Sequence, residues 1–205
     1  MAVRDRLLAH QVWYHAFKEV IGADTSMKKI VQEHVVPVSG ERLLDVGCGD
    51  GDIRPLLGDV DYVGVDANED YLRVARARTD PHTRFIAADV TELAGLGVEE
   101  FDVAIAVGLL HHLSTDQVQT LLGALAEVVR PGGRLITVDP VFDPEQRTTA
   151  RVLASLDRGR YVRDAEGYRV LVERNFEVTQ VRVRHDLLWI PYSHCVTESV
   201  VPVDR

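Results

Sequence analysis

The chain has 205 residues, enough for one well-buried domain and too few for two of ordinary size. Its 46% hydrophobic and 27% charged residues fit an ordinary soluble globular protein, and a formal charge of −9 argues against non-specific binding to nucleic acid or anionic membrane. Cys48 and Cys195 lie too far apart for a disulfide framework or a zinc spacing, and no run approaches the ~20 apolar residues of a membrane span. No N-terminal apolar core of signal-peptide type is present, so a reducing cytoplasm is the expected setting.

Residues 3–20 place Val3, Leu7, Leu8, Val12 and Phe17 at near-helical spacing, with Gly22 as a stop. A second helix is predicted over 25–35, ending before Pro37. The period then changes. Residues 42–46 read as a strand opening into a glycine turn, 52–57 as a short helix with Pro55 in its first turn, and 61–65 as the next strand. A helix through Tyr71 and Arg78 follows, then strands at 85–88 and 101–107. Ser114 with Gln117 predicts a capping box for a helix whose apolar face is Val118, Leu121, Leu122, Leu125 and Val128. Pro131-Gly132-Gly133 ends that helix and 134–138 is a fifth strand. Helices near 145–157 and 165–174 and strands near 176–188 and 194–201 complete the chain. Alternation of strand and helix at this interval demands a parallel sheet covered on both faces, a doubly wound α/β domain with a helical N-terminal addition.

In such sheets ligands bind beyond the carboxyl ends of the strands. Those ends carry Asp45 with Gly47, Gly49 and Gly51, then Asp66, Asp89, Gly108 and Asp139. So many carboxylates on one edge disfavour phosphate and favour a cation or a hydroxyl-rich ligand. The Gly-Lys-Ser/Thr of a P-loop is absent, and the glycine spacing is not that of the dinucleotide fingerprint.

Five stretches in order, LLDVGCGDG, VGVDANEDYL, FIAADV, FDVAIAVGLLHHLS and VVRPGGRLITVD, resemble the class I S-adenosylmethionine-dependent methyltransferases over roughly residues 41–139. The resemblance implies one domain over 1–205: N-terminal helices (1–38), a cofactor-binding core (41–139) and acceptor-side elements (140–205). It implies a Rossmann-like seven-stranded sheet with an antiparallel last strand, and S-adenosylmethionine as cofactor. Carried over residue by residue, Asp45 faces the cofactor's ammonium end and Gly47, Cys48 and Gly49 form the turn beneath it. Asp66 accepts from both ribose hydroxyls, Ala67 flanks the adenosine, and Asp89 and the Val90 backbone bind the adenine. Val107 and Gly108 close over the methionine portion.

His111 and His112 follow the fourth strand, where one imidazole would serve as a general base or only satisfy loop backbone. On the acceptor side, Tyr14 lies among Trp13, His15 and Phe17, which form an aromatic lid or ordinary helix packing. Arg158, Arg160, Tyr161 and Arg163 gather in DRGRYVR, where the arginines bind an anionic acceptor or pair with the chain's own carboxylates. Tyr192 and His194 open the last strand. The function expected is methyl transfer to an O, N or C atom of a small molecule, with neither nucleic acid nor membrane as partner. A nicotinamide oxidoreductase, or a cofactor-binding fold that only scaffolds, remains the alternative.

Overall fold

A computed structural model describes residues 22–78, 80–89, 93, 100–155 and 159–204. Its strands are β1 (Arg42–Val46), β2 (Asp61–Asp66), β3 (Thr83–Ala87), β4 (Phe101–Val107), β5 (Val129–Pro140), β6 (Glu177–Arg184) and β7 (His194–Val200). They form one seven-stranded sheet in the order β3-β2-β1-β4-β5-β7-β6, in which β7 runs antiparallel to both neighbours and every other pair is parallel. The direction of winding reverses between β1 and β4, which opens a crevice at their carboxyl ends.

The central strands are buried on both sides, and their residues alternate between two cores. Leu44, Val46, Val63 and Val65 face Leu121, Leu122 and Leu125 of helix α3 (Thr115–Val128) and Leu171 and Val172 of α5 (Ala165–Val172). Leu43, Tyr62, Val103, Ile105 and Val138 face the opposite way, toward Ile30 of α1 (Ala23–Ile30), Ile53 and Leu57. Full burial of each such aliphatic side chain contributes about 1.5–3 kcal/mol. The expected capping box is present: Gln117 N–H donates to Ser114 Oγ, and Ser114 N–H to Gln117 Oε1. Helices α2 (Glu69–Arg76) and α4 (Thr148–Ser155) complete the described layers. Among the described residues no helix is long and apolar enough to cross a membrane.

Three elements differ from their sequence reading. The helix predicted at 25–35 is α-helical only to Ile30, and Val31–Val35 winds one wider turn. Pro37 disfavours helical geometry at the preceding residue, and the helix stops at Val36, which is left-handed with φ of 42°. The helix predicted at 52–57 shrinks to a 3-10 turn at Arg54–Leu56. Pro131-Gly132-Gly133 lies inside β5: the strand begins at Val129, opposite Phe101, and absorbs the three residues as an irregularity between Phe101 and Val103. The helix predicted at 3–20 lies outside the described residues.

A polar bracket holds α1 against the sheet beside the crevice. Arg184 donates to His34 Nε2 at 2.8 Å, so His34 Nδ1 carries the proton and donates to Glu198 Oε1 at 2.7 Å. Lys29 extends the bracket to Asp186 at 3.1 Å.

Candidate functional site

The first turn of the site is built from backbone. Gly47 and Cys48 N–H donate to Val65 O, at 2.8 and 3.1 Å, which fastens the β1 turn to the end of β2. Gly49 has φ of +55°, and a Cβ there would meet no atom within 4 Å. The left-handed conformation disfavours a side chain, and the open space is room for a ligand to approach the main chain. Asp66 locks this turn. Its Oδ2 accepts from Gly49 N–H at 2.9 Å and its Oδ1 from Asn68 N–H at 2.7 Å. Each carboxylate oxygen retains a second lone pair for a hydroxyl.

Beneath the turn lies a cavity of ≈ 200 Å³ lined by Met27, Asp45, Gly47, Gly49, Ile53 and Val107, among others. Asp45 is buried and accepts from the Tyr62 hydroxyl at 2.6 Å. Burial pushes its carboxyl up to about 7, and the Tyr62 hydrogen bond only partly offsets this. Burial and the neighbouring Asp45 and Asp66 also push the Cys48 thiol far up, which removes it as a nucleophile. Tyr62 was missed in the sequence reading; it sits at the second position of an apolar strand and gives no signal of polar duty.

The segment after β4 packs directly on this turn: a Cβ on Gly47 would meet Leu109 Cδ1 at 2.9 Å. His111 follows, almost fully buried, and donates Nδ1–H to Asp139 Oδ1 at 2.8 Å. That oxygen also accepts from the His111 backbone N–H at 3.1 Å. Asp139 is itself buried, and burial raises its carboxyl above the usual range, with His111 pulling the other way. His112 is exposed, its ring centroid 4.0 Å from that of His111.

The expected acceptor residues divide into two groups. Arg163 spends its guanidinium on the carbonyls of Leu110, Leu113 and Tyr161, at 2.9, 2.9 and 3.0 Å, and so braces the His111 segment from behind. Tyr161 N–H donates to His111 O at 2.9 Å, while Tyr161 and Arg160 side chains are exposed. Tyr192 is buried at a separate cavity between the β5–α4 and β6–β7 connections, its ring 5.2 Å from His194. Ala67 and Asp89 are exposed at the ends of β2 and β3, and Gly108 at the end of β4. Tyr14, Val90 and Arg158 lie outside the described residues.

A family model described as a methyltransferase domain matches residues 43–133, the span that builds the glycine turn, both aspartates and the His111 segment. Residues 43–133 match that family, in agreement with the resemblance of the chain to the class I S-adenosylmethionine-dependent methyltransferases. Among relatives, it is 33% identical over 144 residues to the O-methyltransferase cnsE of Penicillium expansum, covering 65% of this chain and 50% of that one. The chain spans about half the length of such relatives. Its fold matches the magnesium protoporphyrin IX methyltransferase of Synechocystis PCC 6803 with bound S-adenosylhomocysteine: TM-score 0.66, 21% identity, 88% of this chain and 84% of that one. It also matches the N-methyltransferase NodS of Bradyrhizobium japonicum WM9 with the same ligand: TM-score 0.65, 15% identity, 88% and 86% covered.

The cofactor of this methyltransferase family is S-adenosylmethionine. The residues present fit it on three counts: open space over Gly49, two fixed carboxylate oxygens on Asp66, and a buried Asp45 that lacks a cationic partner among the described contacts.

Proposed function

We propose that this chain catalyses methyl transfer from S-adenosylmethionine to an oxygen atom of a small molecule. In this reading Asp66 holds the ribose hydroxyls, with Ala67 beside the adenosine. Asp89 and Val90 hold the adenine, and Asp45 faces the ammonium. Gly47, Cys48, Gly49, Val107 and Gly108 shape the floor. The cofactor supplies a methyl group already activated on a sulfonium, so the protein's work is alignment and exclusion of water.

The observation that carries oxygen as the acceptor atom is the His111–Asp139 pair. A hydroxyl must lose its proton as it is methylated, whereas an amine need only arrive neutral. With Nδ1–H committed to Asp139, His111 presents Nε2 as its basic nitrogen, in a water-poor segment packed on the glycine turn. His112 is the exposed alternative one residue on. The relatives named O-methyltransferases agree with this choice. The test is transfer of labelled methyl from S-adenosylmethionine to a panel of phenols, alcohols, amines and thiols. Labelling of hydroxyl compounds is expected; labelling confined to amines would remove the oxygen assignment.

The Asp45 assignment makes a pH-dependent prediction. The carboxyl of the free protein titrates at about 7. Below that pH it is neutral, and an approaching ammonium must first drive off its proton. Affinity for S-adenosylhomocysteine should therefore climb as pH rises from about 5.5 through 7 and flatten above. Asp45→Asn should abolish the slope, as read by titration calorimetry across that range.

A further inference from the structure

The ends of β5 and β7 meet on the same sheet edge as the glycine turn. Val107, which lines the turn's cavity, registers with Val138; Pro140 then pairs with His194, and Val141 N–H donates to Ser193 O at 3.0 Å. Here the β5–α4 and β6–β7 connections enclose a cavity of ≈ 420 Å³, walled by Ala150, Leu188, Trp189, Ile190 and Tyr192. Trp189 is 69% exposed, an indole face held open to solvent. Glu145 and Arg147 stand exposed around it with opposite charges.

The polar floor of this cavity is clamped from both connections. His185 sets Nδ1 2.9 Å from Ser193 Oγ and Nε2 3.3 Å from Asp143 Oδ2. Asp143 in turn donates its backbone N–H to Gln146 Oε1. That bond fixes the amide's orientation, because a backbone N–H only donates and the atom it meets must be the oxygen. Gln146 Nε2 consequently points the other way. It is buried and has no hydrogen-bond partner among the described residues. A buried donor left unmade is costly, and Gln146 lines this cavity, whose walls are half polar and half apolar and include Trp189 and Tyr192. Asp143 is engaged with His185, so what the floor offers is a donor, suited to an oxygen that only accepts.

We propose that this cavity seats the methyl acceptor, and that the acceptor is an aromatic compound whose carbonyl or carboxylate oxygen accepts from Gln146 Nε2. The proposal rests on the methyl-transfer reading for the word acceptor, and on the cavity alone for the ligand's chemistry. Asp143, His185 and Ser193 are positioning residues, and Trp189 and Tyr192 supply the flat walls.

The test is titration calorimetry of the full chain, with and without S-adenosylhomocysteine, using 3,4-dihydroxybenzoate, its methyl ester and 1,2-dihydroxybenzene. The two carbonyl-bearing probes should bind, and the third about tenfold or more weakly. Gln146→Glu keeps an oxygen for Asp143 N–H but replaces the donor; the neutral ester avoids any charge repulsion. That variant should bind the ester about tenfold or more weakly, with S-adenosylhomocysteine affinity unchanged. If it fails to fold, Gln146→Met, which also lacks the donor, should bind the ester about tenfold or more weakly than the parent. Equal ester binding by parent and variant, equal binding of all three probes by the parent, or no probe binding at all overturns the assignment. Failure of the parent to bind S-adenosylhomocysteine while the probe series holds would instead overturn the transfer reading and leave the cavity's chemistry standing.

Discussion

Asp66→Ala is expected to weaken S-adenosylhomocysteine binding about tenfold to a hundredfold without unfolding the chain. The carboxylate is half-buried at a strand end and carries no core packing, so its loss is felt mainly by its partners. Gly49 N–H loses its acceptor and the glycine turn loses the tie that sets its curvature. Two ligand hydroxyls lose theirs as well, which together corresponds to about 1.5–3 kcal/mol. Asn offers no rescue. Both oxygens of Asp66 accept from backbone N–H groups, so an amide in that place must set its NH2 against one of them. Calorimetry giving the parent affinity in either variant would move Asp66 out of the cofactor site.

Most of the sheet was legible because its central strands are buried on two faces and read as unbroken apolar runs. The glycine turn and the Ser114–Gln117 cap were legible for a different reason: each is local, set by residues within a few positions of one another. What failed was local in appearance only. Pro131-Gly132-Gly133 reads as an interruption, yet β5 absorbs it because Val129 already has a partner in Phe101 across the sheet. The wider turn at Val31–Val35 likewise answers to packing, with Val31, His34 and Val35 all buried at once.

The residues of the candidate site were singled out one at a time, without their pairings. His111 and Asp139 were each singled out, and only the β4–β5 register brings them together. Arg163 was read as a cation for an anionic acceptor or for the chain's own carboxylates; its donors instead reach carbonyls fifty or more positions back, a contact no spacing rule anticipates. Gln146 and His185 were not singled out at all. A weak signal existed in FDPEQ, where Asp143 and Gln146 stand three apart in the manner of a cap and the Asp143 N–H aims the amide, but His185, which engages the Asp143 carboxylate, comes from the β6–β7 connection.

His111→Ala is expected to cost about 3 kcal/mol or more of folding stability, with a sign of pH dependence that identifies the cause. The substitution strands the Asp139 carboxyl, whose Oδ2 is already buried with no hydrogen-bond partner among the described residues. Burial raises that carboxyl even with His111 in place, and without the imidazole it rises further. A carboxyl whose folded pKa exceeds its unfolded value destabilises the fold as pH climbs from the unfolded pKa of about 3.9 through the raised one. Urea unfolding should therefore show a larger loss at about pH 8 than at about pH 5. Adding Asp139→Asn to His111→Ala should flatten that dependence and restore part of the loss, since no buried charge remains. Transfer activity, measured at the pH where His111→Ala is most stable, then separates base from brace. If activity survives there, the pair only holds the segment after β4 and His112 inherits the role of base. If activity is lost while the chain stays folded and still binds S-adenosylhomocysteine, the proton of the acceptor goes to His111.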